Sequence, residues 1–258
     1  MRLATWNVNS LNARMPRVEE WLDYASPDIL CLQETKLTDE AFPTERFAEL
    51  GYESVHHGSG RWNGVAILSR IGLTDSSYGF GDDDPYASGE CRLLSARCGS
   101  IVVLSVYVPN GREVGSEYYE AKLLWLSHLQ EYLAKRFDPM SMLAVCGDFN
   151  IAPTDKDLWD PAFFEGHTHV TEPERRSLEE LLSWGLVDVF RLHRPESGLY
   201  SWWDYRGGDF HQHRGMRIDL ILTTESLAKR SRWVLIDRNA RKGRQPSDHA
   251  PVVVDFDL

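Results

Sequence analysis

The chain is poor in cysteine: Cys31, Cys91, Cys98 and Cys146 stand apart among 258 residues, with no CxxC pair. That spacing suggests neither a zinc site nor a disulfide framework, so reduced core thiols are expected. No uncharged apolar run approaches the ~18 residues of a membrane span. Met1 to Asn12 also lacks the basic segment, apolar stretch and cleavage site of a signal peptide. A soluble, cytoplasmic chain without membrane attachment is expected. Cations are scarce as well: 28 Lys and Arg against 39 Asp and Glu give a formal charge of −11. A chain of this balance that bound phosphates would have to gather its cations on one face. No repeat, linker or low-complexity stretch marks a boundary, so residues 1–258 are read as one domain. With 42% hydrophobic residues and 9 Trp it can bury a substantial core.

What is present is a series of short apolar runs rich in Val, Ile and Leu. They lie at Leu3 to Val8, Asp28 to Gln33, Gly64 to Ser69, Ile101 to Val108, Met142 to Val145, Ile218 to Thr223 and Val252 to Phe256. Each has the length of a buried strand. Between them Leu123, Leu126, Leu129, Leu133 and Phe137 share one helical face, and Pro173 and Glu174 open another helix that runs through Leu182 and stops before Gly185. A first helix is expected from Pro16 to Tyr24 with the proline at its start. The strand spacing is too irregular for a barrel or a Rossmann sheet. Sheets packed face to face with helices outside fit better.

Five polar clusters sit where apolar runs end: Asn7 and Asn9 in WNVNS, Glu34 in LQETK, Tyr107 in YVPNG, Asp148 and Asn150 in GDFN, and Asp248 and His249 in PSDHAP. Loops beyond strand ends can bring distant residues together while the strands hold them rigid. Carboxylates and amides gathered there suit a hard cation such as magnesium. Singly each cluster reads as a solvated turn. Asp219, inside an apolar run, needs a buried partner, for which His249 is the candidate. His167 with His169 and His211 with His213 have HxH spacing but lie in polar loops. Asp82, Asp83 and Asp84 read as solvated surface, and the basic segment Arg238 to Arg244 as a candidate phosphate-contacting loop.

Together WNVNS, LQETK, GVAILSR at 64 to 70, YVPNG, GDFN, RIDL at 217 to 220, SDHAP at 247 to 251 and SWWDYR at 201 to 206 resemble the exonuclease III branch of the apurinic/apyrimidinic endonuclease family. The resemblance covers Arg2 to Asp257. It implies a four-layered α/β sandwich, two packed mixed sheets flanked by helices. It also implies a magnesium-dependent nuclease, with manganese a substitute, and the chain is expected to be monomeric. Its substrate would be duplex DNA with abasic sites or blocked 3′ ends, cut 5′ to the abasic site, with 3′ to 5′ exonuclease and 3′ phosphatase activities.

By the same resemblance Glu34 ligates the metal with Asn7 beside it, Asp148 deprotonates the attacking water, and Asn150 positions water and phosphate. Asp148, Asn150 and His249 border the metal as well. His249 bonds a phosphate oxygen and is oriented by Asp219, while Tyr107 contacts the phosphate or assists departure of the 3′ oxygen. Asp248 falls at a second metal position, so one-ion and two-ion schemes both stand. Lys36, Arg92 and Arg112 fall near the DNA backbone, and Trp202, Met216 and Ile218 at a pocket for an extruded abasic sugar. Some relatives carry tryptophan at the position of Met216, and other members carry aspartate at that of Asn9. Another DNase I-like phosphodiesterase and a catalytically silent DNA-binding module are the alternatives.

Overall fold

The computed structural model describes residues 1–81 and 90–258, so the acidic trio Asp82 to Asp84 lies outside the described residues. Among the described residues two six-stranded mixed sheets form. In chain order the strands are β1 (Arg2–Asn7), β2 (Ile29–Gln33), β3 (Glu53–His57), β4 (Val65–Ser69), β5 (Thr74–Tyr78) and β6 (Leu93–Cys98). They continue with β7 (Ile101–Tyr107), β8 (Leu143–Asp148), β9 (Leu186–Asp188), β10 (Asp219–Thr224), β11 (Ser231–Ile236) and β12 (Val252–Phe256). One sheet runs β11-β12-β1-β2-β4-β3 and the other β5-β6-β7-β8-β10-β9.

The apolar runs are continuous because both faces of the central strands are covered. Leu3, Ile29, Cys31, Val65 and Ile67 turn inward and meet Val103, Ala144, Cys146 and Ile221 of the facing sheet. Their neighbours Ala4, Leu30, Leu32, Ala66 and Leu68 turn outward against helix α1 (Leu11–Ala25) and helix α2 (Thr44–Glu49). Leu104, Val106, Leu143, Val145, Leu220 and Leu222 likewise meet helix α3 (Glu117–Arg136) and helix α4 (Glu172–Trp184). This is the four-layered sandwich. Each fully buried Val, Leu or Ile contributes about 1.5–3 kcal/mol. All four cysteines are free and buried.

Helix α4 follows its sequence signals. Thr171 and Glu174 form a reciprocal capping box, and Gly185 closes the helix with a positive φ of 131°. Helix α1 corrects the expectation of a start at Pro16. It begins at Leu11 and keeps Pro16 inside, because Ser10 N donates to Glu34 O (2.7 Å) and Leu11 N to Thr35 O (3.0 Å), fixing the helix entry from another loop. Strands β3, β5, β6, β9 and β11 were not expected. β5 is mostly exposed, β3 is polar apart from Val55, β9 has three residues, and β11 confines its apolar residues to the short stretch Trp233 to Ile236 with Trp233 exposed. β6 is well buried, but Ser95 and Arg97 break its apolar run.

Candidate active site

Strand direction decides which residues meet. β1 and β2 run parallel, as do β7 and β8, whereas β12 and β10 run antiparallel to β1 and β8. The last residues of β1, β7 and β8, Asn7, Tyr107 and Asp148, therefore lie at the same end as the first residue of β10, Asp219, and the approach to β12, His249. Tyr107 pairs with Asp148 and Asp148 with Asp219 in register. Between the sheets, Asn7 Nδ2 donates to Asp148 Oδ2 and to Glu34 Oε1, both at 2.9 Å. Gly147 permits the strand contact beneath, since a Cβ there would meet Val106 O at 1.8 Å.

The loops are held in costly conformations. Asn9, Ser10, Glu34, Lys36, Arg112 and Asn150 all have positive φ, between 45° and 88°. For non-glycine residues each costs on the order of 1–3 kcal/mol, and such residues cluster at functional sites. Bonds around Thr35 hold the Glu34 turn: Thr35 N to Gly64 O (3.2 Å), Lys36 N to Asn63 O (3.0 Å), and Thr35 Oγ1 to the ring of His56 (2.8 Å), itself bound to Asp39 (2.7 Å). Gly64 is required there, because a Cβ would fall 2.1 Å from Thr35 Oγ1.

Glu34, Asp148 and His249 bring one potential ligand atom each within 4.8 Å of one another. His249 Nδ1 lies 2.8 Å from Asp219 Oδ2, and its Nε2 lies 3.8 Å from Asp148 Oδ2. Burial pulls the imidazolium down, but the Asp219 and Asp148 carboxylates outweigh it and hold His249 up at about 10. Burial pushes Asp148 up to about 7 against the opposing pull of His249. Burial, then Glu34 and Asp148, raises the Tyr107 phenol, which hydrogen-bonds Glu34. Around neutrality the site thus combines a protonated ring, a protonated phenol and a carboxylate poised to exchange a proton.

Several of the expected site residues also bond to one another and to the surrounding loops. Asn7 turns its amide nitrogen, not its oxygen, to the carboxylates, and its Oδ1 accepts from Asn9 N (2.9 Å). Asn150 donates to Val108 O (2.9 Å) and accepts from Asn110 Nδ2 (3.2 Å), so its side chain braces the Asp148 loop. Asp248 stands apart from the Glu34, Asp148 and His249 trio, its oxygens taken by Asn9 Nδ2 (2.9 Å) and Trp202 Nε1 (3.1 Å). The Asn9 amide uses both ends, accepting from Lys36 (2.6 Å) while donating to Asp248, which a carboxylate there could not do.

Lys36, Arg92 and Arg112 line one groove of about 510 Å³ that also contains Glu34 and Tyr107. Trp202 and Met216 line a second cavity of about 250 Å³ with Phe163, Phe164, His169 and Arg112. Ile218 is not among its walls, because it packs with Ala152 and Leu158 behind Met216. The basic segment is divided: Arg241 is buried and donates to Ser247 O under the Asp248 loop, whereas Lys242 and Arg244 are exposed. His169 has its Nδ1 2.6 Å from Asn150 O rather than pairing with His167.

The sequence reading missed Lys122. Fully buried, it donates to Asn150 O (2.6 Å) and Asn110 O (3.3 Å) and pairs with Glu174 at 2.5 Å. It ties α3 and α4 to the two asparagine loops. The signal was available, since Lys122 falls on the buried stripe of Tyr119, Leu126, Leu129 and Leu133.

Comparison with known proteins agrees with this geometry. Residues 4–249 match the model of the endonuclease/exonuclease/phosphatase family. Exodeoxyribonuclease III of Haemophilus influenzae is 34% identical, over 99% of this chain and 100% of its own length. An AP endonuclease from Archaeoglobus fulgidus superposes with a TM-score of 0.96 at 40% identity, covering 100% of both chains. A 3′ phosphatase, NExo, from Neisseria, solved with a product DNA hairpin, superposes at 0.94 with 38% identity and the same full coverage.

Proposed function

The chain belongs to the endonuclease/exonuclease/phosphatase family, and from that premise we propose that it is a DNA repair nuclease that hydrolyses phosphoesters at abasic sites and at 3′ ends. The observation that carries this reading is the pairing of a proton-accepting Asp148 with a proton-bearing His249 at the meeting of two sheets, 3.8 Å apart. Incision 5′ to an abasic site, exonucleolytic removal of a nucleotide and release of a 3′ phosphate all break a P–O3′ bond by attack of water. One site serves all three.

In this reading Asp148 takes the proton from the attacking water as its oxygen bonds to phosphorus. His249 Nε2 donates to a non-bridging phosphate oxygen, and Asp219 keeps the ring in that orientation through Nδ1. Tyr107, kept protonated, contacts the phosphate or the departing 3′ oxygen. Asn7 holds Asp148 and Glu34 together through one amide nitrogen. The family is metal-dependent, and the clustered carboxylates fit a hard cation. Glu34 and Asp148 would hold magnesium, or manganese in its place, which supplies neutralisation of charge at the phosphate. His249 also brings a ring nitrogen within reach of that pair, and we assign it to the phosphate as a donor, with Asp219 on its Nδ1. With Asp248 engaged by Asn9 and Trp202, we favour one ion.

DNA is the substrate in this reading, with Lys36, Arg92 and Arg112 along the strand and an abasic sugar beside Trp202 and Met216. We further read residues 1–258 as one domain, monomeric, acting in the cytoplasm. Buried reduced thiols are consistent with that compartment. Among the described residues no helix is long and apolar enough to cross a membrane. The test is a time course on matched abasic, intact and 3′-phosphate duplexes. Cleavage of the first and third should exceed that of intact DNA, stop in EDTA and return with magnesium. Full turnover after exhaustive chelation would sink the metal assignment.

A further inference from the structure

Four aromatic residues line the larger groove beside the site, and three of them have an arginine over the ring. Arg92 lies 4.7 Å from the centroid of Tyr107, Arg112 3.6 Å from that of Tyr118, and Arg61 5.3 Å from that of Trp62. Only Tyr107 belongs to the reacting centre. Trp62 and Tyr118 are 65% and 44% exposed, unusual for side chains of such apolar area. Glu34 and Tyr107 of the site are among its walls, so the groove adjoins the catalytic cluster.

Its cations are largely engaged. Lys36 pairs with Glu34 at 2.9 Å, Arg92 with Glu90 at 2.6 Å, and the Arg112 guanidinium covers the Tyr118 ring. Beside those cations, which still face the strand, the groove offers aromatic and guanidinium surface on which a flat ring can stack. Paired bases keep their faces inside the helix, whereas an unpaired base presents them. We propose that this groove, with Trp62 and Tyr118 as its stacking platforms, binds unpaired nucleotides next to the cleaved phosphate. The proposal rests on the nuclease reading above and adds to it a preference for DNA whose end is frayed or mismatched.

Two duplexes ending in the same 3′ phosphate, one paired to its end and one mismatched over its last few bases, test this with the full chain and magnesium. The quantity measured is the enzyme concentration that half-saturates single-turnover phosphate release. Wild-type protein should half-saturate at lower concentration on the mismatched end. Trp62→Ala and Tyr118→Ala should each raise that concentration for the mismatched end by about 5-fold or more, as expected for one lost base stack. The shift on the paired end should be several-fold smaller, and Trp62→Phe should retain most of the wild-type preference. Equal shifts on both ends, or none on either, with turnover intact, would overturn the proposal alone. Wild-type protein that turned over neither duplex would overturn the nuclease reading and the proposal with it.

Discussion

Replacing Asp219 by asparagine keeps the size of the side chain and removes one charge 2.8 Å from His249 Nδ1. At an effective dielectric near 20, a unit charge at that separation is worth about 6 kcal/mol, or about 4 pH units at roughly 1.36 kcal/mol per unit. Burial, which pulls the imidazolium down, would then be opposed chiefly by Asp148 at 3.8 Å. The ring, held at about 10 in the native site, should titrate near ~6 in the variant on that Coulomb estimate. At pH ~8 about one ring in a hundred would keep its proton, so the rate should fall about 10²-fold there and recover toward pH ~6. The assay is single-turnover cleavage at saturating DNA and magnesium across that range, with the His249 ring nitrogens followed by NMR in metal-free protein. A deficit constant from pH ~6 to ~9, or a ring still titrating near 10, would refute the claim that Asp219 acts by holding the proton on His249.

Three further outcomes are expected. Asp148→Asn should slow single-turnover cleavage by about 10²- to 10⁴-fold while DNA affinity survives, and a near-normal rate would mean that another group activates water. The same substitution should stabilise metal-free protein at alkaline pH. The folded pKa of Asp148, about 7, exceeds its ordinary 3.8, so ionisation above pH 7 costs stability that returns as pH falls through 7 toward 4. Melting temperatures across that window check the sign, and an advantage that grew as pH fell would contradict it. Lys122→Met should cost about 3–5 kcal/mol in urea unfolding by stranding buried Glu174, and adding Glu174→Gln, which removes the charge but keeps an acceptor for the Thr171 cap, should recover part of the loss. Equal stability of the single and double variants would mean that the pair is not coupled.

The short buried strands and the polar residues at their ends could be read from the chain because they depend on local chemistry. A strand covered on both faces is an unbroken apolar run, and the residue following it must be polar. The ends of β1, β2, β7 and β8 and the start of β10 were legible on that basis, and the motifs there carried the family. β3, β5 and β11 were not, since each is largely or partly exposed and takes its conformation from its neighbours. The early start of α1 depended on hydrogen bonds from the Glu34 loop, more than twenty residues away in sequence.

At the site, residue types were fixed by sequence, but contacts were not. Nothing local indicates that the Asn7 amide nitrogen bridges two carboxylates on different sheets, that Asn9 separates Lys36 from Asp248, or that Lys122 reaches the carbonyls of Asn110 and Asn150. The charge balance of −11 likewise could not say that Lys36, Arg92 and Arg112 share one groove. Sequence determined which groups were available at the strand ends. Only the packing of one sheet on the other set the distances and the burial, and those two quantities raise both His249 and Asp148 above their ordinary values.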